Sequence, residues 1–422
     1  MIETVQVDDI RLIFGQEGRQ DWAKFTFPVT YGLPVKVRWN KYDYDFNLKG
    51  NLKKISGRPP AWPNQLEQLK RTEGNDFIYY GIFGYEATYY MINNYYVPFT
   101  GVADPPVFNE EPFSEAHIPR ALEDFDRFLE LAGRAAGRAE DPRAREFLRK
   151  ISGRNRDFLA GEAGRLHEII GGRIPVLPPD TLEVDYEVIP LMIMEGCIYR
   201  CDFCGFKDDY EFRVREEPDV RRQLYGLKSF YGEDLVNYNS VLLGMNDALA
   251  AGADAIEAAA TSAYEILDME RSYHHGANLF LFGSADSLAG AGEKLFKFLN
   301  NSPFSVYINI GLESPDQATL NHLGKPLKEA AVLEAFRRAG DINSNYGSIR
   351  VSCNFVIGRS LPEGHLVSLK KLLSGAPVSS GKDTVYISPL IGDCERMQIR
   401  NEFTDLKRVS RPEVFLYLVQ CL

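Results

Sequence analysis

Cysteine, histidine, methionine and tryptophan are scarce: 6, 6, 7 and 3 of them in 422 residues. Six cysteines cannot staple a chain this long, so a disulfide scaffold is excluded. Long apolar runs are missing too. The stretches Val188–Met194 and Leu279–Phe282 fall far short of the roughly 20 residues that a membrane span needs. The first residues, Met1 to Asp9, carry acids and no basic-then-apolar layout, so no secretory signal is expected. Together these absences lead to the expectation of a cytoplasmic protein without a membrane span. Basic residues number 48 against 59 acidic, a net charge of −11. An acidic surface repels phosphate backbones, which makes nucleic acid a poor partner. There is no phosphate-cradling G-x-x-x-x-G-K-[ST] loop, no low-complexity tract and no repeat of period 20 to 50.

What is present reads as folded protein. Hydrophobic residues reach 45%, too many for disorder. At about 150 residues per domain, the length suggests two or three domains. Residues 1–112 are expected to form an aromatic-rich β or α+β region. Alternation in Val35–Trp39 and Tyr42–Phe46 suggests strands. Phe77 to Phe99 holds ten aromatics in 23 residues, seven of them tyrosine, which suits either a core layer or a pocket wall. Residues 113–180 read as helices and a linker. Leu122, Phe125, Leu129 and Ala132 recur at helical spacing, and Phe147, Leu148 and Ile151 repeat it after Pro142. Nine arginines between positions 120 and 156, interleaved with acids, read as a solvated, ion-paired helix face, with anion binding the alternative. The proline-rich stretch Ile174–Asp180 reads as a linker.

From 181 to 395 the texture changes. Strands are expected at Val188–Met194, Ser240–Leu243, Asn278–Phe282, Ser305–Ile310, Ile349–Ile357 and Thr384–Ile387. Helices between them are expected at Asp247–Ala251, Ala263–Met269, Gly290–Leu299, Asp316–Leu323 and Leu327–Ala339. This alternation is the βα pattern of a parallel sheet or partial barrel, an α/β fold that gathers ligands at the C-terminal strand ends. Residues 396–422 read as a C-terminal extension.

Three of the six cysteines fall within eight residues, Cys197, Cys201 and Cys204, in the order C-x3-C-x2-C right after the first of these strands. Three thiolates from one loop can hold three corners of a cubic iron–sulfur cluster and leave the fourth iron open. Structural zinc wants four closed ligands, commonly two C-x2-C knuckles, and only one such pair exists here. Cys353, Cys394 and Cys421 are scattered, and either build an auxiliary cluster or are incidental thiols.

This motif, with Phe203 before its last cysteine, resembles the radical S-adenosylmethionine (radical SAM) superfamily across about residues 185–395. Gly311-Leu312-Glu313-Ser314, the run Pro315 to Lys325, Cys353 to Gly358 and Leu361-Pro362-Glu363-Gly364 resemble one branch. That branch holds oxygen-independent coproporphyrinogen oxidases, the elongator catalytic subunit and methylthiotransferases. The resemblance implies a partial (β/α)6 barrel with the N-terminal region capping or flanking it. Cys197, Cys201 and Cys204 would ligate a [4Fe–4S] cluster, and S-adenosylmethionine would chelate its open iron. Phe203 and Gly205 would approach the adenine. The family's Gly-Gly-Glu turn is matched by Leu243-Gly244-Met245-Asn246-Asp247, which departs from it, with Asn246 and Asp247 as acceptors for the methionyl ammonium. Glu313 would contact ribose or amine, Lys325 the methionyl carboxylate, and Ser284, Asp286 and Asn354 would face the same mouth. Reductive cleavage of the sulfonium would yield a 5′-deoxyadenosyl radical that abstracts hydrogen from a small or medium organic substrate. A flavodoxin or ferredoxin would deliver the electron. No D-x-H-x-x-G segment and no dense C-terminal cysteine block occur, which argues against cobalamin-dependent methylation and peptide maturation. The alternative is a tetrapyrrole carrier that keeps the cluster motif, with His274, His275 and the tyrosine-rich stretch as contacts. A nucleic-acid modifier is the third reading, and the net acidity counts against it.

Overall fold

The structure is a computed structural model. It describes residues 2–21, 30–58, 62, 68–80, 95–96, 116–174, 176–184, 186–204, 211–377, 381–390 and 396–417. Most of the tyrosine-rich stretch, Gly205, Cys394 and Cys421 lie outside the described residues.

Seven antiparallel strands come first: β1 (Glu3–Val7), β2 (Ile10–Phe14), β3 (Val35–Trp39), β4 (Tyr42–Phe46), β5 (Leu52–Gly57), β6 (Gln68–Arg71) and β7 (Phe77–Tyr80). They lie side by side in chain order. Their alternation buries one face, including Ile10, Leu12, Val37, Tyr44, Phe46, Ile55 and Leu69. Three helices cover that face: α1 (His117–Ala136), α2 (Pro142–Ser152) and α3 (Arg156–Ile170). Tyr44 stacks on Phe128 of α1 at 4.7 Å. Asp141 caps α2 by accepting from two backbone N–H groups with Pro142 behind it, and Asn155 caps α3. Gly171 ends α3 in the left-handed conformation that glycine adopts without strain. The arginine-rich faces are ion-paired outward, as Arg156–Asp126 at 2.7 Å shows.

The second layer is one parallel sheet. Its strands are β9 (Val188–Leu191), β12 (Ser240–Leu243), β13 (Ala277–Gly283), β14 (Phe304–Glu313), β15 (Ile349–Ile357), β16 (Thr384–Pro389) and β17 (Glu413–Tyr417), in that spatial order, with β8 (Tyr95–Tyr96) beyond β17. The connecting helices are α4 (Glu217–Tyr231), α5 (Ala253–Ile266), α6 (Ala285–Gly290), α7 (Glu293–Asn301), α8 (Gln317–His322), α9 (Glu329–Asn345), α10 (Gly364–Gly375) and α11 (Arg396–Val409). The partial (β/α)6 barrel with an N-terminal α+β region is present, extended by β17 and β8. One face of the sheet is apolar and meets the helices; Phe355 packs edge-on against Phe336 of α9 at 6.1 Å. The other face carries polar and aromatic residues in register, with Phe282, Asn309, Ser352 and Thr384 in one row and Gly311, Asn354 and Tyr386 in the next.

Several boundaries differ from the sequence reading. The run Val188–Met194 divides: β9 ends at Leu191, and β10 (Met194–Glu195) turns out to pair with β11 (Arg213–Val214). Instead of Ala263–Met269 there is α5, which starts at Ala253. Its first half is alanine-rich, which favours helix strongly but leaves no large apolar periodicity to see. Helices α4 and α10 were not anticipated, nor was β17. Ile174–Asp180 is no free linker: Pro179–Glu183 forms a short 3-10 turn, and the buried Asp180 accepts from Ser352 at 2.6 Å and Tyr386 at 3.2 Å. It therefore floors the polar face of the sheet. The N-terminal layer meets the barrel where the strands begin. Lys53 reaches Glu187 just before β9, and Asp234 and Tyr238, just before β12, bond Asn47 and Glu73.

Candidate active site

The C-terminal ends of β9, β12, β13, β14 and β15 bring most of the singled-out residues to one mouth. The cysteine loop begins where the β10–β11 hairpin turns away, at Gly196, whose φ of 71° suits glycine. Cys201 is buried, and Cys197 and Cys204 are half-buried free thiols. Tyr199 N–H points at Cys197 Sγ, 3.4 Å away. Phe203 sits half-buried on the turn before Cys204.

The loop after β12 supplies Asn246 and Asp247. Asn246 Nδ2 donates to Gly196 O at 3.3 Å, which ties that loop to the cysteine loop. Asp247 Oδ1 accepts from Ser284 N–H at 3.2 Å and Ser287 Oγ at 2.7 Å. Its Oδ2 is buried with no hydrogen-bond partner among the described residues. Burial holds the Asp247 pKa above its ordinary value, against the hydrogen bonds from Ser284 and Ser287. Ser284 itself caps α6 in a reciprocal box with Ser287.

Strand β14 ends in a bulge at Gly311/Glu313, and Glu313 has a φ of 62°, which is uncommon for a non-glycine residue. That twist aims its carboxylate at Lys325 Nζ, 2.8 Å away, and both are 8% exposed. Lys325 is thus not an ordinary surface cation at a helix end. Burial opposes its charge, but Glu313 and the nearby Cys201 and Cys197 outweigh that and hold its pKa above the usual lysine value. In return, burial pushes the Cys201 thiol up to about 11 while Lys325 pulls it the other way. Cys197 is also raised by burial, against the Tyr199 N–H. A metal deprotonates such thiols outright.

Three singled-out groups stand apart. Cys353 lies on the helix-facing side of β15, buried, with its thiol pKa raised by burial and then by Asp180 and Asp383. His274 and His275 precede β13, at the end of that strand away from Ser284. His274 Nδ1 lies 3.2 Å from Gln20 O, and His275 Nδ1 lies 2.8 Å from Asp21. They hold the N-terminal loop, and the structure does not bring them to the cysteines. Conversely, the sequence reading missed Tyr199, whose Oη donates to Asp286 at 2.6 Å, and Gly324, which lets Asp202 approach. A tyrosine between two cysteines was the only sequence signal for the former.

Among the described residues, no three His, Cys, Asp or Glu side chains converge on a single metal-ion position. A cubane asks less convergence of its ligands, since each cysteine binds a different iron. The donors present fit such a group: three thiols on one loop, beside a buried cation. The polar groups next to them suit a small polar cosubstrate. A Cβ at Gly311 would meet Glu313 Oε1 at 2.8 Å and Lys325 Nζ at 3.5 Å, so glycine here lets that ion pair pack against the end of β14. The oxygens Asp247 Oδ2 and Asn354 Oδ1 are buried acceptors without partners among the described residues, which suits an ammonium or hydroxyl donor.

A family model described as the radical SAM superfamily matches residues 191–373, the stretch from the end of β9 into α10. The chain carries a radical SAM superfamily domain. No curated protein matches it. Similar solved structures include three of the cobalamin-dependent S-adenosylmethionine radical enzyme OxsB. The apo form is 16% identical with a TM-score of 0.35, covering 57% of this chain and 33% of that one. The form with aqua-cobalamin and S-adenosylmethionine and the form with aqua-cobalamin alone are each 15% identical with a TM-score of 0.36, covering 57% of this chain and 34% of those. The chain thus spans about a third of the length of these structures. Likeness at that level decides nothing about branch or cobalamin. No helix among the described residues is long and apolar enough to cross a membrane.

Proposed function

We propose that the protein is a radical SAM enzyme. The carrying observation is the convergence, within a matched radical SAM domain, of three cysteines and a buried Lys325–Glu313 pair at the C-terminal strand ends. Cys197, Cys201 and Cys204 would hold a [4Fe–4S] cluster, and S-adenosylmethionine would bind beside it. When both are bound, the chemistry supplied is one-electron cleavage of the sulfonium and hydrogen abstraction from a substrate carbon by the resulting 5′-deoxyadenosyl radical. The protein's own part is binding, orientation and exclusion of water. Asp247 and Asn354 offer buried oxygens to the ammonium and ribose hydroxyls. Asn246 pins the cysteine loop through Gly196. Ser284 holds the Asp247 carboxylate in place. Phe203 and Gly205 would flank the adenine. The Lys325 ammonium lies near Cys201 and Cys197 and would be the cation offered to a carboxylate.

The substrate would be a small or medium organic molecule, set on the polar face of the sheet above the Asp180 floor. A flavodoxin or ferredoxin would supply the electron. The run Gly311–Lys325 and the segment Cys353–Gly358 support placement near the coproporphyrinogen oxidase, elongator and methylthiotransferase branch. Anaerobic reconstitution with iron and sulfide, then dithionite and S-adenosylmethionine, should yield 5′-deoxyadenosine. A protein that holds iron and sulfide yet yields none would overturn the enzymatic reading. Cys201→Ala should abolish both the brown chromophore and the cleavage; full iron content in that variant would contradict the ligand assignment.

A further inference from the structure

From Gly196 to Cys204 the cysteine loop has no regular secondary structure, so tertiary contacts must hold it. Three anchors are on view. Asn246 donates to Gly196 O at 3.3 Å, Asp202 N–H donates to Leu323 O at 3.0 Å, and Tyr199 Oη donates to Asp286 Oδ2 at 2.6 Å. They reach the segments after β12, β14 and β13 respectively. Of these three, only the last uses a side chain of the cysteine loop itself.

Tyr199 lies midway between Cys197 and Cys201. Its neighbours Ile198 and Arg200 are exposed, while its own ring turns inward. The Lys325 ammonium sits 5.4 Å from the centre of that ring and donates to Glu313 at 2.8 Å. A cation over an aromatic face is attracted by the ring's quadrupole. A hydroxyl donated to a carboxylate makes a short, charge-assisted bond. One side chain does both and joins two different strand ends to the loop between two thiols. A leucine could fill the volume and do neither.

We propose that Tyr199 is a positioning residue for the metal centre, clamping the cysteine loop to Asp286 and to the Lys325–Glu313 pair so that the Lys325 charge stays beside Cys197 and Cys201. This rests on the cluster assignment above. A positive charge beside sulfur ligands favours the more electron-rich state, so losing its placement lowers the potential.

The test begins with iron and sulfide content of the reconstituted wild type. If that protein binds none, the cluster assignment fails rather than the clamp. Given a cluster, Tyr199→Leu should release iron to a chelator about 10-fold faster. Its midpoint potential, followed by electron paramagnetic resonance, should move to more negative values. Tyr199→Phe keeps the ring, so it should hold the wild-type potential while releasing iron faster. Asp286 is exposed, so Asp286→Ala probes the hydroxyl contact without touching the core, and it should match Tyr199→Phe. Wild-type release and potential in Tyr199→Leu would overturn the clamp. Equal potential shifts in the Leu and Phe variants would overturn the Lys325 part. Should Tyr199→Leu bind no cluster, wild-type release in both Tyr199→Phe and Asp286→Ala would overturn it.

Discussion

Lys325 and Glu313 show what a single buried pair can decide. Twelve residues separate them, and the bulge that ends β14 makes them meet. Removing one partner of a buried ion pair typically costs about 3–5 kcal/mol, because the other charge is left alone. Lys325→Met should therefore destabilise the cluster-free protein by roughly 3 kcal/mol. Pairing it with Glu313→Leu should recover much of that loss, and urea unfolding of the single and double variants measures both. The sequence alone suggested a role for each of these residues but not their pairing. Asp286 and Tyr199 are harder still, since they stand 87 positions apart and neither belongs to the cysteine spacing. The three cysteines were legible because one loop carries them all, and their spacing is itself the signal.

At the scale of elements, the six anticipated strands all exist because buried parallel strands read as short apolar runs. The helices were less visible where alanine replaces large apolar residues, as in α5. The turn after α8 gives a check on how an element places the site. Gly324 has a φ of 61°, and a Cβ there would run into the Asp202 carboxylate on the cysteine loop. Gly324→Ala combines backbone strain of about 1–2 kcal/mol with that collision. It should push the two loops apart, and the reconstituted variant should bind clearly less iron per chain than wild type. Wild-type iron content would mean that the loops hold their places without this approach. The segment at Pro179–Glu183 teaches the opposite lesson. Three prolines nearby suggested a linker, yet a buried acid, Asp180, that accepts from Ser352 and Tyr386 locks it under the sheet.

Across the whole molecule, the two layers are joined by buried charge. Lys53 bonds Glu73 at 2.6 Å and Glu187 at 3.1 Å, and Tyr238 donates to Glu73 at 2.8 Å. Asp234 is fully buried and accepts from Asn47, the Leu48 N–H, Tyr186 and Asn237. Burial raises its pKa from 3.8 to about 6. Its contribution to stability is therefore full below 3.8 and lost as pH rises through about 6. Glu73 runs the other way: burial is outweighed by Lys53 and Arg71, which lower its pKa from 4.5 to about 2. Its contribution is full above 4.5 and lost as pH falls through about 2. Asp234→Asn should remove a fall in stability of about 2 kcal/mol between pH 4 and pH 6.5, read from urea midpoints across that range. Lys53→Met should cost about 3 kcal/mol by removing the cation that Glu73 and Glu187 share, although Lys70 still pairs with Glu187 and Tyr238 still bonds Glu73. A single cooperative thermal transition should move down for both layers together. Separate transitions in the wild type would show that the layers unfold independently. By itself the sequence determined the βα alternation and the C-x3-C-x2-C spacing, because both are written locally. Only the tertiary structure decided which charges meet, which face of the sheet is polar, and that the N-terminal layer grips the barrel where its strands begin. Those depend on strand register and on contacts between residues far apart in the chain, and no local pattern encodes either.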